Sequence, residues 1–185
     1  MIDFINEIID ILGKYRGFFL QGVGFTMLIA LAGTIIGLII GLITGIVRTI
    51  PQSKNPVIRF ILKLVNIVIS IYVEVFRGTP MMVQLLIWGF VIFKTSRSHT
   101  MVGALGLGIN SGAYVAEIVR GGLMSVDMGQ TEAGRSLGLN YLDTMRFIVI
   151  PQAFKNILPA LGNEFITLLK DTSLVSAIGG TEMVY

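Results

Sequence analysis

Long runs of apolar residues dominate the chain, and their lengths predict a helical membrane protein. Residues 17–47 contain no charge over 31 positions, and about 20 apolar residues suffice for a helix to cross a bilayer. Three further runs cover residues 64–93, 100–124 and 147–169. We therefore predict an all-α integral membrane protein whose residues 1–185 form one transmembrane domain.

Glycines recur at every fourth position of the first run. Positions four apart lie on one stripe of a helix, and a stripe of small residues lets another membrane helix approach closely. Glycine is also more frequent in membrane helices in general. The exact register favours packing against another helix of the bundle or of a partner subunit, through Gly33, Gly37, Gly41 and Gly45.

A break is predicted inside the second run, where Gly78-Thr79-Pro80 follows Glu74 and Arg77. Thr is a favourable N-cap and Pro suits the first helical position. We therefore expect one helix to end near Arg77 and another to begin at Pro80. Broken helices are tolerated at membrane depth only where protein or a wet cavity shields them.

Basic residues gather between the first two runs, which places this loop on the cytoplasmic side. The acidic N-terminus then lies outside, and the polar stretch 125–147 returns to the cytoplasm. Within this stretch we predict a helix over residues 130–137, a left-handed turn at Gly138 and a helix capped by Asn140. Such a segment is either an ordinary hairpin loop or a rigid surface on which another subunit docks.

Composition narrows the class of function. Only 14% of residues are charged and 54% are hydrophobic, against roughly 25% charged in soluble domains, which argues against a soluble enzyme or a nucleic-acid-binding protein. The chain has no cysteine and one histidine, so we expect no metal site. It also lacks a glycine-rich phosphate loop, and we expect no catalytic residue and no cofactor in this chain.

The cytoplasmic stretch carries a motif of defined spacing, Glu132-Ala133-Gly134, then Gly138, then Ile148-Val149-Ile150-Pro151. This motif resembles the EAA loop of permease subunits of bacterial ABC importers, with Gly134 where the family has a third-position Ala. Other stretches are similar to the branch that imports polar amino acids such as histidine, glutamine and arginine. They are Phe76-Arg77-Gly78-Thr79-Pro80 with Val83-Gln84, residues 112–122 and residues 170–174.

The resemblance implies the type I ABC importer permease fold, a MetI-like helical bundle with about five transmembrane helices, the last of them missing here. It implies a multi-pass subunit of the bacterial cytoplasmic membrane that takes up an L-amino acid, including cationic ones such as arginine, histidine or lysine. The implied partners are two ABC ATPase subunits that bind ATP and Mg, a second permease subunit in a homodimer or paralogous heterodimer, an extracytoplasmic amino-acid-binding protein and the lipid bilayer. Nucleic acid is not expected.

Coupling to the ATPases is expected within residues 125–147, where the helix over 130–137 would transmit motion. The residues expected to contact or position the ATPase are Gly129, Gln130, Glu132, Ala133 and Gly138.

A substrate site is expected among polar residues of the apolar runs, since such residues cannot face lipid comfortably. Asn110, Tyr114 and Glu117 share one helical face. The free N–H groups at the start of the helix at Thr79-Pro80, with Arg77 beside them, would hold the substrate carboxylate. Acids would hold the ammonium group or a cationic side chain, and neutral groups would add hydrogen bonds. Alternatively, Glu74–Arg77 and Glu117–Arg120 are pairs that close on themselves. The candidate residues are Glu117, Tyr114, Asn110, Glu74, Arg77, Gln84 and Asp171.

Three other classes of protein remain to be weighed. A permease of another ABC branch, for methionine or an oxyanion, would share the loop motif. A secondary transporter would show two matching halves, which the sequence lacks. A membrane hydrolase would need a nucleophile beside a base, but the single histidine, His99, lies in a predicted loop.

Overall fold

The structure, a computed structural model, describes residues 2–180 and is built from helices joined by short loops. The all-α prediction is confirmed, and no strand occurs within the described residues. The α-helices are α1 (Ile2–Val47), α2 (Pro56–Gly78), α3 (Met81–Ile87), α4 (His99–Met124), α5 (Met128–Ser136), α6 (Tyr141–Thr144) and α7 (Ile150–Asp171). A π-helical turn over Trp88–Ile92 extends α3, another over Met145–Val149 joins α6 to α7, and a 3₁₀ helix covers Thr172–Ile178.

Helix α1 begins earlier than the apolar pattern indicates. The predicted segment 17–47 is helical, but the helix starts at Ile2 and continues through the charged residues before Gly17. No proline interrupts this part of the chain, so nothing ends the backbone hydrogen-bond ladder there. Its 46 residues extend about 69 Å at 1.5 Å per residue, more than twice the roughly 30 Å of a bilayer's hydrocarbon core.

The glycine stripe of α1 packs against α4, as predicted. A Cβ atom placed on Gly37 would lie 2.9 Å from Ser111 Oγ, and one on Gly41 would lie 2.4 Å from Val115 Cβ. A Cβ on Gly45 would lie 2.8 Å from a backbone oxygen of α4. Side chains on these three glycines would therefore prevent the contact, and their absence lets the two helices meet backbone to backbone.

Helix α2 ends at Gly78 and α3 begins at Met81, which confirms the break. The predicted cap is wrong, because Pro80 occupies the N-cap position in an extended conformation. The Thr79 hydroxyl instead donates to the Val75 carbonyl at 2.8 Å. Thr79 thus closes α2, where the last carbonyls of the helix lack intrahelical partners.

Three helical segments within the described residues are long and apolar enough to cross a membrane: Ile5–Val47, Pro56–Gly78 and His99–Met124. Helix α7 is less apolar but runs antiparallel to α4 along its length. Ile157 of α7 packs near Gly122, and Glu164 of α7 accepts a hydrogen bond from Ser111, further back along α4. The helix predicted over 147–169 is thus present as α7, and one face of it packs against α4.

Residues 125–147 contain the predicted left-handed turn and the predicted Asn140 cap, although α5 spans Met128–Ser136 where residues 130–137 were predicted. The Asp127 side chain caps α5 by accepting from Gly129 N at 2.6 Å, and the Asn140 side chain caps α6 by accepting from Asp143 N at 2.9 Å. Gly138 has φ 85°, a left-handed conformation that glycine adopts without penalty. The chain therefore turns sharply between α5 and α6.

The chain continues in helical form directly after α7. A 3₁₀ helix starts at Thr172 without an intervening loop. The Thr172 and Ser173 hydroxyls donate back to the carbonyls of Leu169 and Lys170 at 2.8 Å each. These bonds satisfy the end of α7, so no cap forms. Residues 181–185, where a further span would begin, lie outside the described residues.

Candidate functional site

The break between α2 and α3 is closed by two polar side chains. Gln84 Nε2 donates to the Phe76 carbonyl at 2.9 Å and to Thr79 Oγ1 at 2.7 Å. Asn110 Nδ2 donates to the same Phe76 carbonyl and to Gln84 Oε1, both at 3.0 Å. Both amides are buried. These bonds satisfy the Phe76 carbonyl, which the break leaves without a helical partner. Gln84 and Asn110 therefore use much of the hydrogen-bonding capacity that we predicted for the substrate within the chain itself.

Arg77 and Tyr114 meet beside this break. The Arg77 guanidinium lies 5.2 Å from the centroid of the Tyr114 ring, a cation–π distance. Tyr114 is 36% exposed, so this pair faces open space instead of the packed interior. Since the Phe76 carbonyl is bonded to Asn110, in the middle part of α4, the neighbouring Arg77 lies at mid-depth of the bundle.

The same region contains a carboxylate that the sequence analysis missed. Glu164, on α7, is half-buried and accepts a 2.7 Å hydrogen bond from Ser111 Oγ. It lies within electrostatic range of Arg77 and Asp171. An acid within a predicted membrane helix is itself a functional signal; applied to residues 147–169, this rule would have identified Glu164.

Glu74 does not pair with Arg77, although the sequence predicted this pair as one alternative. Glu74 is exposed, and the salt bridges among residues 2–180 do not include it. The reason is that the Arg77 guanidinium turns toward the Tyr114 ring. Glu74 is therefore an acid of α2 without a partner inside the described part of the chain.

Glu117 is separated from this group and bound by two arginines. Its Oε2 accepts from Arg120 Nη2 at 2.8 Å, as one alternative predicted, and its Oε1 accepts from Arg48 Nη1. Arg48 directly follows the first apolar run, where the sequence predicted only a basic loop. Glu117 lines a cleft of about 390 Å³ between α4 and α7, but two guanidinium groups already neutralise its charge, so it is poorly suited to hold a further cation.

Replacing Glu117 by Gln should destabilise the protein. The change leaves Arg48 and Arg120 close together without an anion, which we expect to cost about 1–3 kcal/mol and to lower the unfolding temperature of the purified complex by several degrees. The double variant Arg48→Gln/Glu117→Gln should recover part of the loss, since it removes one of the two unpaired cations. An unchanged unfolding temperature with impaired uptake of a cationic amino acid would instead support the substrate role predicted from the sequence.

The residues expected to couple to an ATPase lie on one exposed segment. Glu132 and Ala133 are exposed on α5, and the Glu132 carboxylate has no partner within residues 2–180. Gln130 accepts from Gln152 Nε2 of α7 at 3.3 Å. Gly134 is buried, and a Cβ there would lie 2.9 Å from Ile148 Cδ1, the end of a flexible side chain, so α5 packs closely against the residues that precede α7.

No three metal-ligating side chains converge in the part of the chain that the structure describes. The candidate site thus consists of a polar group at mid-depth of the bundle and the exposed segment 125–147, connected by α4 and α7.

Comparisons with known proteins find permease subunits of amino acid transport systems. The chain is 39% identical over 142 residues to the arginine transport system permease protein ArgU of Corynebacterium glutamicum, covering 69% of this chain and 43% of the relative. It is 41% identical over 124 residues to the glutamine transport system permease protein GlnP of Escherichia coli K12, covering 65% of this chain and 57% of the relative. The chain spans about half the length of these curated relatives.

Solved structures share the fold. The crystal structure of an amino acid ABC transporter with histidines matches with a TM-score of 0.77 at 41% identity, over 93% of this chain and 77% of that chain. An inward-facing MetNI methionine ABC transporter matches with a TM-score of 0.72 at 20% identity, over 91% of this chain and 78% of that chain. At 20% identity this second likeness shows the fold alone.

These comparisons confirm the MetI-like permease fold that the loop motif implied. The family described as "binding-protein-dependent transport system inner membrane component" matches residues 57–184. That range is more than half of the chain, and it contains the broken helix, the polar group and residues 125–147. The protein therefore belongs to the family of binding-protein-dependent transport system inner membrane components.

Proposed function

We propose that this chain is the membrane-spanning subunit of an ATP-driven importer of a polar L-amino acid. The observation that carries the proposal is that two opposite charges, Arg77 on α2 and Glu164 on α7, lie within electrostatic range of each other at mid-depth of the bundle without forming a salt bridge. An amino acid is a zwitterion at neutral pH, and it needs one group of each sign. The two groups lie on different helices, so motion of α7 relative to α2 changes their separation.

In this proposal Arg77 receives the substrate carboxylate and Glu164 receives the ammonium group. Ser111 holds the Glu164 carboxylate in place through its 2.7 Å hydrogen bond, and the Tyr114 ring holds the Arg77 guanidinium. Both groups are thus oriented before the substrate arrives, which reduces the ordering cost of binding. Gln84 and Asn110 support the site by closing the helix break.

The substrate class is proposed from the local charge. Asp171 lies within electrostatic range of Glu164, so two carboxylates accompany one guanidinium. This excess of negative charge favours an amino acid with a cationic side chain. The ArgU and GlnP names indicate that both cationic and neutral amino acids are transported by similar proteins, and the charge of this site favours the first.

The proposed import requires further subunits. No phosphate-binding loop occurs in this sequence, and ATP and Mg would therefore be bound by separate ATPase subunits that dock on α5. Glu132, exposed and unpaired within the described residues, would contact a basic group of the ATPase. A second permease subunit would complete the pathway, and an extracytoplasmic binding protein would deliver the substrate.

Glu164→Gln tests the proposal because it keeps the shape and the hydrogen bond from Ser111 but removes the charge. With ATPase and binding protein present in proteoliposomes, ATP-dependent arginine uptake should fall at least tenfold, while basal ATP hydrolysis and subunit recovery remain. Glu7→Gln, which removes an exposed acid near the start of α1, is the matched control. Arginine uptake at the wild-type rate in Glu164→Gln would reject this site, and uptake driven by an ion gradient without ATP would reject the importer.

A further inference from the structure

Helix α2 carries a polar stripe along nearly its full length. At 100° per residue, the six stripe positions fall within about 80° of arc and extend over about 27 Å. The other positions of α2 between the first and the last stripe residue are apolar or aromatic. The polar stripe consists of Arg59, Lys63, Asn66, Ser70, Glu74 and Arg77.

The polar stripe has almost no partners within the described residues. Apart from Arg77, no stripe residue makes a side-chain hydrogen bond, ion pair or ring contact among residues 2–180. Arg59, Lys63 and Glu74 are exposed, and Asn66 and Ser70 are half-exposed. The stripe is therefore not a packed core contact of this chain.

A different face of α2 makes the contacts with the bundle. Ile69 and Val73 are buried against Ala113 and Ala116 of α4. A third face of α2, directed away from the stripe, is apolar and more than half exposed at Leu64, Val68 and Ile71. These residues suit contact with lipid acyl chains. The three faces divide α2 into a packed side, a lipid side and a polar side.

Lipid does not fit the polar side, because charged residues at membrane depth are strongly disfavoured unless they face protein or water. Arg77 and Glu74 lie at mid-depth, as the Phe76–Asn110 hydrogen bond shows. At its cytoplasmic end the stripe opens into a cavity of about 610 Å³, whose lining includes Arg59, Lys63 and Asn66. A polar surface that ends in an open cavity is the form expected of a water-filled passage.

We propose that the polar stripe of α2 lines the aqueous pathway from the substrate group near Arg77 to the cytoplasm. A dry contact with α2 of a second copy is less suitable, because a twofold axis along the membrane normal would bring Arg59 and Lys63 near their own copies. Like charges need water between them to stay in proximity. This inference rests on the proposed function, because the proposed function states that the solute is an amino acid and that it moves toward the cytoplasm.

Cysteine scanning tests the proposal directly, since the natural chain contains no cysteine. Single cysteines at Lys63, Asn66 and Ser70 would be compared with cysteines at Leu64, Val68 and Ile71, which lie on the lipid side. The complex in inside-out vesicles would be treated with the membrane-impermeant thiol reagent MTSET. We expect the stripe positions to react at least tenfold faster than the lipid-side positions, with reactivity following the 3- and 4-residue spacing.

Equal reactivity on both faces would overturn the inference, and so would rapid formation of a disulfide between two copies of Ser70→Cys, which would indicate a dry contact. ATP-dependent uptake measured on the same variants separates this outcome from the proposed function. If uptake persists without periodic reactivity, the stripe is not the lining and the importer stands. If periodic reactivity is found in a complex that takes up no amino acid, the lining stands and the proposed function fails.

Discussion

A leucine in place of Gly41 is expected to prevent assembly of the helical bundle. A Cβ atom at this position would lie 2.4 Å from Val115 Cβ and 2.9 Å from the backbone nitrogen of Ala116. A neighbouring side chain can change rotamer, but a backbone nitrogen inside α4 cannot move alone. We therefore expect a cost above the about 1–3 kcal/mol that is typical of overpacked cores, and loss of most folded protein.

Recovery of monodisperse protein after detergent extraction and size-exclusion chromatography measures this effect. Gly24→Leu is the matched control, because a Cβ on Gly24 meets nothing within 4 Å and leucine is favourable in an apolar helix. Gly41→Leu should fall at least tenfold below the wild type, while Gly24→Leu should equal it. Wild-type recovery of Gly41→Leu would show that α1 and α4 do not meet through this stripe.

Valine in place of Gly138 is expected to uncouple ATP hydrolysis from uptake while leaving the membrane helices assembled. Gly138 has φ 85°, where a β-branched residue is a genuine outlier, and the strain is about 1–3 kcal/mol. No neighbouring atom lies within 4 Å of a Cβ there, so the effect acts through the backbone turn alone. Relief of the strain would change the angle between α5 and α6, and with it the position of α5 against the ATPase.

ATP hydrolysis and amino acid uptake would be measured together in the reconstituted complex. Gly138→Val should retain hydrolysis and lose at least tenfold in uptake. Gly138→Asn is the control, since Asn tolerates the left-handed conformation, and it should transport almost normally. If Gly138→Val and Glu132→Ala both transport at the wild-type rate, residues 125–147 do not couple the two activities.

Much of the fold could be predicted from the sequence because a membrane restricts the structures that a chain can adopt. In lipid, backbone groups must be satisfied within helices, so long apolar runs identify the helices directly. The glycine register predicted a close helix contact, Pro80 marked the break, and Gly138 marked the left-handed turn. Each of these effects depends on the residue type itself: glycine has no side chain, and proline has no backbone N–H. The local sequence is therefore sufficient to predict them.

Side-chain pairing between helices was harder to predict. Arg48 and Glu117 are 69 positions apart, and a helical pattern shows which face is polar without showing which faces meet. Gln84 and Asn110 were interpreted as substrate contacts because they are polar at membrane depth, but they also bond the carbonyl freed by the helix break. Glu164 was missed because residues 147–169 were identified by their overall hydropathy, which a single acid changes little.

The backbone contact between α1 and α4 has a mechanical consequence. Without a layer of long side chains between them, the two helices have little freedom to slide, so they should tilt as one rigid unit. Helix α1 has 46 residues and α4 has 26, and the longer helix therefore extends far beyond its partner. Since α1 measures about 69 Å, a tilt of about 10° about its Val47 end would displace its far end by roughly 12 Å. A small movement imposed near residues 125–147 would thus be amplified into a large displacement at the opposite end of the bundle.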